Sequence, residues 1–411
     1  MTDPASDVRG ICPARFTAVR EAFAANFAEQ RELGARFALA IGGEIVVDLI
    51  GGWADRAMTR PFAEDTLTPV FSTTKAMASL MIARLVGQSR LAYETRVADL
   101  WPAFGAEGKD RLTVGEVLSH QAGLCGLPGP MAPADWYDWD GVCGRLAAMT
   151  PLWPPGTASG YHPVTFGYLA GEIFRCADGR TVGTALREDI AGPLGLDLWI
   201  GLPDREHRRV AQVRRPPAMP DLGEITEPRR LAFLTRWATP GGVDEATARR
   251  AEIPSANGHA TAPALARLMA VLAQDGILDV REVLASGVAG EAGRQRIAGP
   301  DLVLPYEMSW GAGFIRNAGV RIYGSGRERI SGPDLVLGYD MSWGAGFIRN
   351  ERLWVYGSGS ETFGHSGWGG SCAFADPERG VSGAYVMNRQ SAELIADTRA
   401  RRLIDAVYAA L

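Results

Sequence analysis

The sequence predicts an α+β fold, with an antiparallel sheet drawn from both chain ends, flanked by helices, and a mostly helical insertion between them. Three observations predict it. Two apolar runs around a Gly-Gly turn lie near the start of the chain, and glycine-rich, aromatic strand texture begins near residue 300. Between about 86 and 290 the pattern is mostly helical, with many Pro and Gly breaks. Strands at both ends with helices between them are satisfied by one sheet that the two ends share. Residues 1–85 and 291–411 are therefore read as a discontinuous sheet domain, and 86–290 as a mostly helical domain.

Each element follows from its pattern. Residues 14–33 place Phe16, Val19, Phe23, Phe27 and Leu33 at roughly helical spacing. Phe37 to Trp53 reads as a β-hairpin. A helix rich in Ala, Met and Leu starts near Ser72. Further helices are expected over 112–124, ended by Gly123, over 164–179, and over 260–276, ended by Gly276. A last helix is expected from Ala392 to Leu411.

The strand-rich end carries a tandem duplication. Residues 296–326 recur as 329–359, offset by 33 residues. Two copies are too few for a solenoid, which needs about three. Each copy reads as two short strands around an Arg-Asn turn. Because the second runs directly into the glycine-rich segment 361–372, it is read as the ordinary sheet element and the first as an added hairpin or loop.

Composition excludes several function classes. The chain has 411 residues, 42 basic against 47 acidic, and a net charge of −5. No basic footprint for nucleic acid and no polybasic run for an anionic membrane is present. Five cysteines without a C-x-x-C pair make neither a disulfide framework nor a zinc site. No metal and no cofactor is expected. The N-terminus lacks the apolar core of a secretory signal, so a cytoplasmic location is expected. The expected partner is a small-molecule ester; a homo-oligomer is compatible with the sequence.

Only two of the 42 basic residues are lysines, Lys75 and Lys109. Lys75 closes the motif Ser72-Thr73-Thr74-Lys75 at the start of the apolar helix. Residues i and i+3 share a helix face, so the amine can reach the hydroxyl. Free N–H groups and positive potential at the helix start favour an alkoxide and disfavour the ammonium. Serine needs such a base, because its free hydroxyl is a weak nucleophile. The bland alternative, a chance spacing with Lys75 on a solvated face, conflicts with its neighbours Ala76, Met77, Ala78, Leu80, Met81 and Ile82.

Tyr161 follows a Pro-Gly-rich loop just before a helix. A phenol beside a lysine ammonium can have its pKa pulled down towards a useful base. By itself this tyrosine would read as packing. The segment 363–380 reads as an edge strand able to offer an N–H to an oxyanion. There His365 touches substrate or caps the strand. The remaining histidines, His120, His162, His207 and His259, read as structural, with His162 adjacent to the pocket. No G-x-S-x-G elbow, P-loop, G-x-G-x-x-G or H-E-x-x-H occurs.

In this order and spacing the three pieces resemble the serine β-lactamase and penicillin-binding-protein superfamily, and most closely the class C β-lactamase-like esterases called family VIII carboxylesterases. The resemblance covers nearly the whole chain. It implies the β-lactamase/penicillin-binding-protein fold, Ser72 as nucleophile, and Lys75 with Tyr161 as the general-base pair. It places the third motif on His365-Ser366-Gly367, with backbone N–H groups of Ser72 and Trp368 as the oxyanion hole. A second register, Trp368-Gly369-Gly370, would move that donor to Ser371. Two departures stand out: Pro163 occupies the position of an asparagine, and His365 that of a lysine. Both lost groups would grip a charged or amide-bearing substrate, each through bonds of about 1.5–3 kcal/mol. A serine carboxylesterase for small, short-chain neutral esters is therefore expected, with Trp136, Tyr137, Trp139 and Trp153 lining the substrate pocket. The rivals are a β-lactamase or D-amino-acid peptidase, an acyltransferase, and a non-catalytic binding protein.

Overall fold

The computed structural model describes residues 8–216, 218–317, 321–322, 330–333, 340–344, 347–349 and 355–411. The hairpin near the start forms as β2 (Gly34–Ile41) and β3 (Glu44–Gly52), after a short β1 (Arg9–Ile11). They join an antiparallel sheet of ten strands whose other members come from residues 297–387. β2 pairs along its length with the strand Val381–Met387, so the two ends of the chain meet at the sheet centre.

Strand alternation explains how both sheet faces are covered. Phe37 and Leu39 of β2 point to one side, with Tyr385 and Met387 of its neighbour. There they bury Phe23 and Phe27 of α1 (Thr17–Ala28), together with Leu403, Ile404 and Val407 of the last helix, Thr398–Ala410. Ala38, Ala373, Ala375 and Ala384 point to the other side, joining the Leu- and Ala-rich helix Ala262–Ala273 in the second core. Small residues on that face allow a close helix approach. α2 (Thr74–Gly87) lies in the same core and is buried on nearly every side, as a helix apolar all round must be.

Three helices are shorter than their patterns suggest, the first of them ending at Ala28 rather than near residue 33. The expected helix over 112–124 stops at Leu118, after a Thr113–Glu116 capping box. His120 then takes φ +65° and turns the chain into the site. The last helix begins at Thr398, six residues later than expected, because the Asp397 carboxylate caps the Arg399 N–H.

The duplication is used the other way round from the sequence reading. The first copy supplies the central-sheet strands Tyr306–Trp310 and Ile315–Arg316, the latter pairing with Phe363–Ser366. The second copy forms a separate three-stranded sheet from Ile330–Pro333, Asp340–Gly344 and Phe347–Arg349. Its register repeats the first: Trp310 faces Ile297 and Ile315, and Trp343 faces Ile330 and Ile348. The working element is also a hybrid. Asn317 of the first copy donates to the Gly357 and Gly359 carbonyls (2.6 and 2.8 Å) and accepts from the Tyr356 N–H (3.0 Å), all in the second copy's tail. The tail Tyr356–Gly359 has the same sequence as Tyr323–Gly326. Excision of residues 327–359 therefore joins the first hairpin to an identical tail. The shortened chain is expected to unfold cooperatively and to keep ester hydrolysis, checked by thermal circular dichroism and a nitrophenyl butyrate assay.

Candidate active site

The start of α2 is a tied-down turn. Phe71 takes φ +47°, a conformation that costs a non-glycine residue about 1–3 kcal/mol and persists only where surroundings hold it. The Thr74 hydroxyl donates to the Phe71 carbonyl and accepts from the Gly258 N–H (2.8 Å). The Gly258 carbonyl in turn accepts from Val70 N–H (2.9 Å). Ser72 thus sits in the first helical turn, half-buried on the wall of a cavity of about 660 Å³.

Lys75 is fully buried behind it. Its Nζ lies 3.1 Å from Ser72 Oγ, 2.7 Å from the Pro163 carbonyl and 3.1 Å from the Ser255 carbonyl. Burial alone drives its pKa well below the usual lysine value; no carboxylate offsets the desolvation. Two carbonyls can only accept, so they engage two amine hydrogens. The remaining direction faces Ser72 Oγ, and in the neutral amine it carries the lone pair. Pro163, the departure in the second motif, acts here through its backbone.

Tyr161 and Ser72 also interact, and the Tyr161 ring lies under Lys75 Nζ at 4.8 Å from its centroid. The expectation of a depressed phenol is overturned. Burial pushes the Tyr161 pKa above the usual tyrosine value, the Ser72 hydroxyl opposes that only in part, and the charge of Asp301 raises it further. With Lys75 neutral there is no ammonium to pull it down, so the phenol keeps its proton.

The third motif ends the strand Phe363–Ser366 and enters a loop over Ser72. Ser366 bonds the Tyr356 hydroxyl (3.0 Å), and both His365 and Ser366 reach the cavity. His365 Nδ1 bonds the Ser366 carbonyl (2.8 Å), which leaves Nε2 buried and unpartnered among the described residues. Burial, and secondarily Lys75, push the His365 pKa down to about 3, so the ring is neutral. Gly367 is packed rather than pocket-lining: a Cβ there would lie 2.2 Å from Ser371 Oγ and 2.3 Å from the Val70 carbonyl.

The loop is held mainly through its carbonyls. Gly367 N–H donates to Ser371 (2.7 Å) and Gly370 N–H to Gly367 (3.1 Å). The Trp368 carbonyl accepts from Gln390 (3.2 Å) and the Gly369 carbonyl from Arg399 Nη2 (2.7 Å). Arg399 is buried with Asp397 and Glu32 at 2.9 and 3.1 Å. Ser371, the donor in the second register, is fully buried, and its hydroxyl bonds the Val70 carbonyl (2.9 Å). Trp368 lines the cavity, and among the described residues its backbone N–H, like those of Gly369 and Ser371, has no protein acceptor.

Trp136 and Trp153 do not reach the cavity. Trp136 donates to the Trp237 carbonyl (2.7 Å) and packs on Tyr168; Trp153 donates to the Ala158 carbonyl (3.0 Å) and packs on His162. Tyr137 lines the cavity as expected, whereas Trp139 does not and donates to the Glu172 carboxylate (2.8 Å). His162 is structural, accepting from Leu124 N–H (3.0 Å) and pairing with the Gly160 carbonyl (2.6 Å). The sequence reading missed His120, whose ring meets Tyr161 at 5.0 Å and Trp310 at 4.4 Å. It also missed the first copy's contribution. Trp310 stacks parallel to Tyr161 at 5.8 Å, and the buried Asp301 carboxylate accepts from Tyr161 N–H (2.9 Å) and Trp310 Nε1 (3.2 Å). A lone acid inside the apolar string Pro300–Leu304 was the available signal.

This buried serine–lysine–tyrosine cluster on a sheet closed by both chain ends defines a serine-hydrolase class of site. The chain belongs to the β-lactamase family, which matches residues 19–407. It is 35% identical over 406 residues to the esterase/β-lactamase LipL of Mycobacterium tuberculosis, covering 96% of this chain and 86% of that one. A penicillin-binding-protein homolog from Caulobacter crescentus superposes with a TM-score of 0.89 at 58% identity, covering 98% of this chain and all (100%) of that one. A family VIII carboxylesterase superposes at 0.84 with 38% identity and the same coverage, 98% and 100%. The chain is an enzyme of the serine hydrolase type with a β-lactamase-like α+β fold. No helix among the described residues is long and apolar enough to cross a membrane.

Asp301→Ala would strip acceptors from Tyr161, Val303 and Leu304 N–H groups and from Trp310 Nε1. Each orphaned buried donor costs about 1–3 kcal/mol. The variant is expected to melt several degrees lower and lose at least tenfold in ester kcat, measured by calorimetry and steady-state kinetics.

Proposed function

We propose that this chain is a serine carboxylesterase that hydrolyses carboxylic esters, small neutral ones among them, through an acyl-Ser72 intermediate. The observation that carries it is the buried Lys75 amine, 3.1 Å from Ser72 Oγ and otherwise facing only two carbonyls. A base in that position takes the hydroxyl proton as Oγ bonds to the ester carbonyl carbon. The oxyanion is held by the N–H groups of Ser72 and Trp368. The phenol of Tyr161, which burial keeps protonated, donates to the departing alkoxide as the C–O bond breaks, and the Lys75 ammonium returns a proton to it. Water then attacks the acyl carbon, giving its proton to Lys75, and Ser72 leaves protonated as the acid is released. The third-motif position carries no cation, since His365 is neutral, which favours an uncharged group beside the scissile bond. The names of the esterase and carboxylesterase relatives support the same reaction class.

Ser72→Ala is expected to abolish nitrophenyl butyrate turnover, with an unchanged melting curve; retained turnover would end this reading. Nitrocefin hydrolysis is expected to be slower than that of the butyrate ester.

The pH profile follows from Lys75. Its folded pKa is lowered, so activity is expected to rise with pH through that ionisation and hold into the alkaline range, because Tyr161 titrates only above its usual value. His365, at about 3, adds no step near neutrality. For stability, the unfolded lysine binds a proton that the folded one has released, between the lowered folded pKa and the ordinary lysine value of 10.5. Unfolding free energy is therefore expected to rise with pH across that window, and Lys75→Met to remove this slope, read by urea titration at several pH values.

A further inference from the structure

The chemistry above uses one end of the cavity. At about 660 Å³ it falls in the range, roughly 300–1,000 Å³, that encloses whole drug-sized ligands, and a short-chain ester leaves most of it empty. Its walls are largely apolar, among them Leu222, Phe233, Leu304 and Ile395, and among the described residues no Asp or Glu lines it and Arg215 is the one fixed charge. Among the described residues Arg215 has no carboxylate partner, and it is an unpaired guanidinium set on the wall of an apolar cavity. Its neighbour Arg214 is also without an acid, and repels Arg389.

Arg215 is exposed on the cavity wall, and the residue before it is anchored by its backbone. Arg214 N–H donates to the Asn388 carbonyl (2.7 Å) and Gln390 N–H to the Arg214 carbonyl (2.9 Å), a parallel bridge beside the sheet. Gln390, which shares the cavity wall, reaches across to the Trp368 carbonyl (3.2 Å). The guanidinium thus stands on backbone that is continuous with the loop over Ser72. A guanidinium is a planar fork that receives a carboxylate through two parallel bonds. A single unpaired one, on a wall without acids, matches one negative charge rather than two.

We propose that the preferred substrate is an ester with a sizeable apolar body and one carboxylate, and that Arg215 is the specificity residue that holds this carboxylate. The assignment rests on the ester-hydrolase reading of Ser72 and names its substrate class.

The test uses two matched pairs of esters. In one pair the anion is on the acyl side: the nitrophenyl half-ester of octanedioic acid against nitrophenyl octanoate. In the other it is on the alcohol side: the butyrate ester of 4-hydroxybenzoate against that of its methyl ester. The reading is the anionic-to-neutral ratio of kcat/KM in wild type, Arg215→Ala and Arg215→Glu. In at least one pair the ratio is expected to fall severalfold in Arg215→Ala and about tenfold or more in Arg215→Glu, carried mainly by KM. The pair that responds tells which side of the ester faces Arg215. Added salt is expected to lower the ratio in wild type and to leave it flat in Arg215→Ala. Ratios unchanged by both substitutions, in enzymes that turn over the neutral esters, would overturn the role of Arg215 alone. Wild-type failure on all four esters would instead overturn the ester reading beneath it.

Discussion

An amine that is to act as a base near neutrality must be kept dry, and the site of this protein is organised around that requirement. Lys75 loses its hydration to the packing around α2, and no acid restores the ammonium form. The two carbonyls that meet it come from distant segments, at Pro163 and Ser255. Both are fixed from behind: Ser255 Oγ donates to the Val164 carbonyl at 2.7 Å, and Gly258 pairs with Val70 and Thr74. Three pieces of chain must therefore be in place before the amine faces the serine.

The same logic governs the loop opposite. A backbone N–H is a useful oxyanion donor only if its neighbours cannot take it up or swing it away. Arg399 and Gln390 hold the carbonyls of Gly369 and Trp368, and Gly369 and Gly370 take φ values of +87° and +127° that only glycine adopts without strain. The buried charges of Arg399, Asp397 and Glu32 are tolerable because they are paired; burial nonetheless pushes Glu32 up to about 8. The helix that closes the sheet thus also anchors the loop that faces the nucleophile.

What could be read from the sequence was what is local or periodic. Ser72 and Lys75 are one helical turn apart, and the apolar residues around them already implied burial. The sheet from both ends followed from texture alone. What depends on tertiary placement was not legible. The direction of the Tyr161 shift turns on how dry its ring is, which spacing does not encode. Trp136 and Trp153 are apolar bodies with one donor each, and carbonyls at Trp237 and Ala158 settled their places. The duplicated copies share the stretch SWGAGFIRN, so local preference could not say which would dock. Proximity to the third motif pointed to the second copy, yet the sheet takes the first copy's hairpin with the second copy's tail. Asp301 was overlooked because its partners, Tyr161 and Trp310, lie 140 and 9 residues away.

The charge layout joins these threads. At the chemical end of the cavity every titratable group tends to neutrality: Lys75 is lowered, His365 sits near 3, and Tyr161 is raised. A carbonyl arriving there meets only dipoles, and a charged substituent close to it would be desolvated without a partner, at a cost of several kcal/mol. Any charge that assists recognition must therefore sit away from the scissile bond. With His365 neutral, Arg215 is the charged group on the described part of the wall. Dryness keeps the amine neutral, and the proposed recognition of a carboxylate then falls to Arg215.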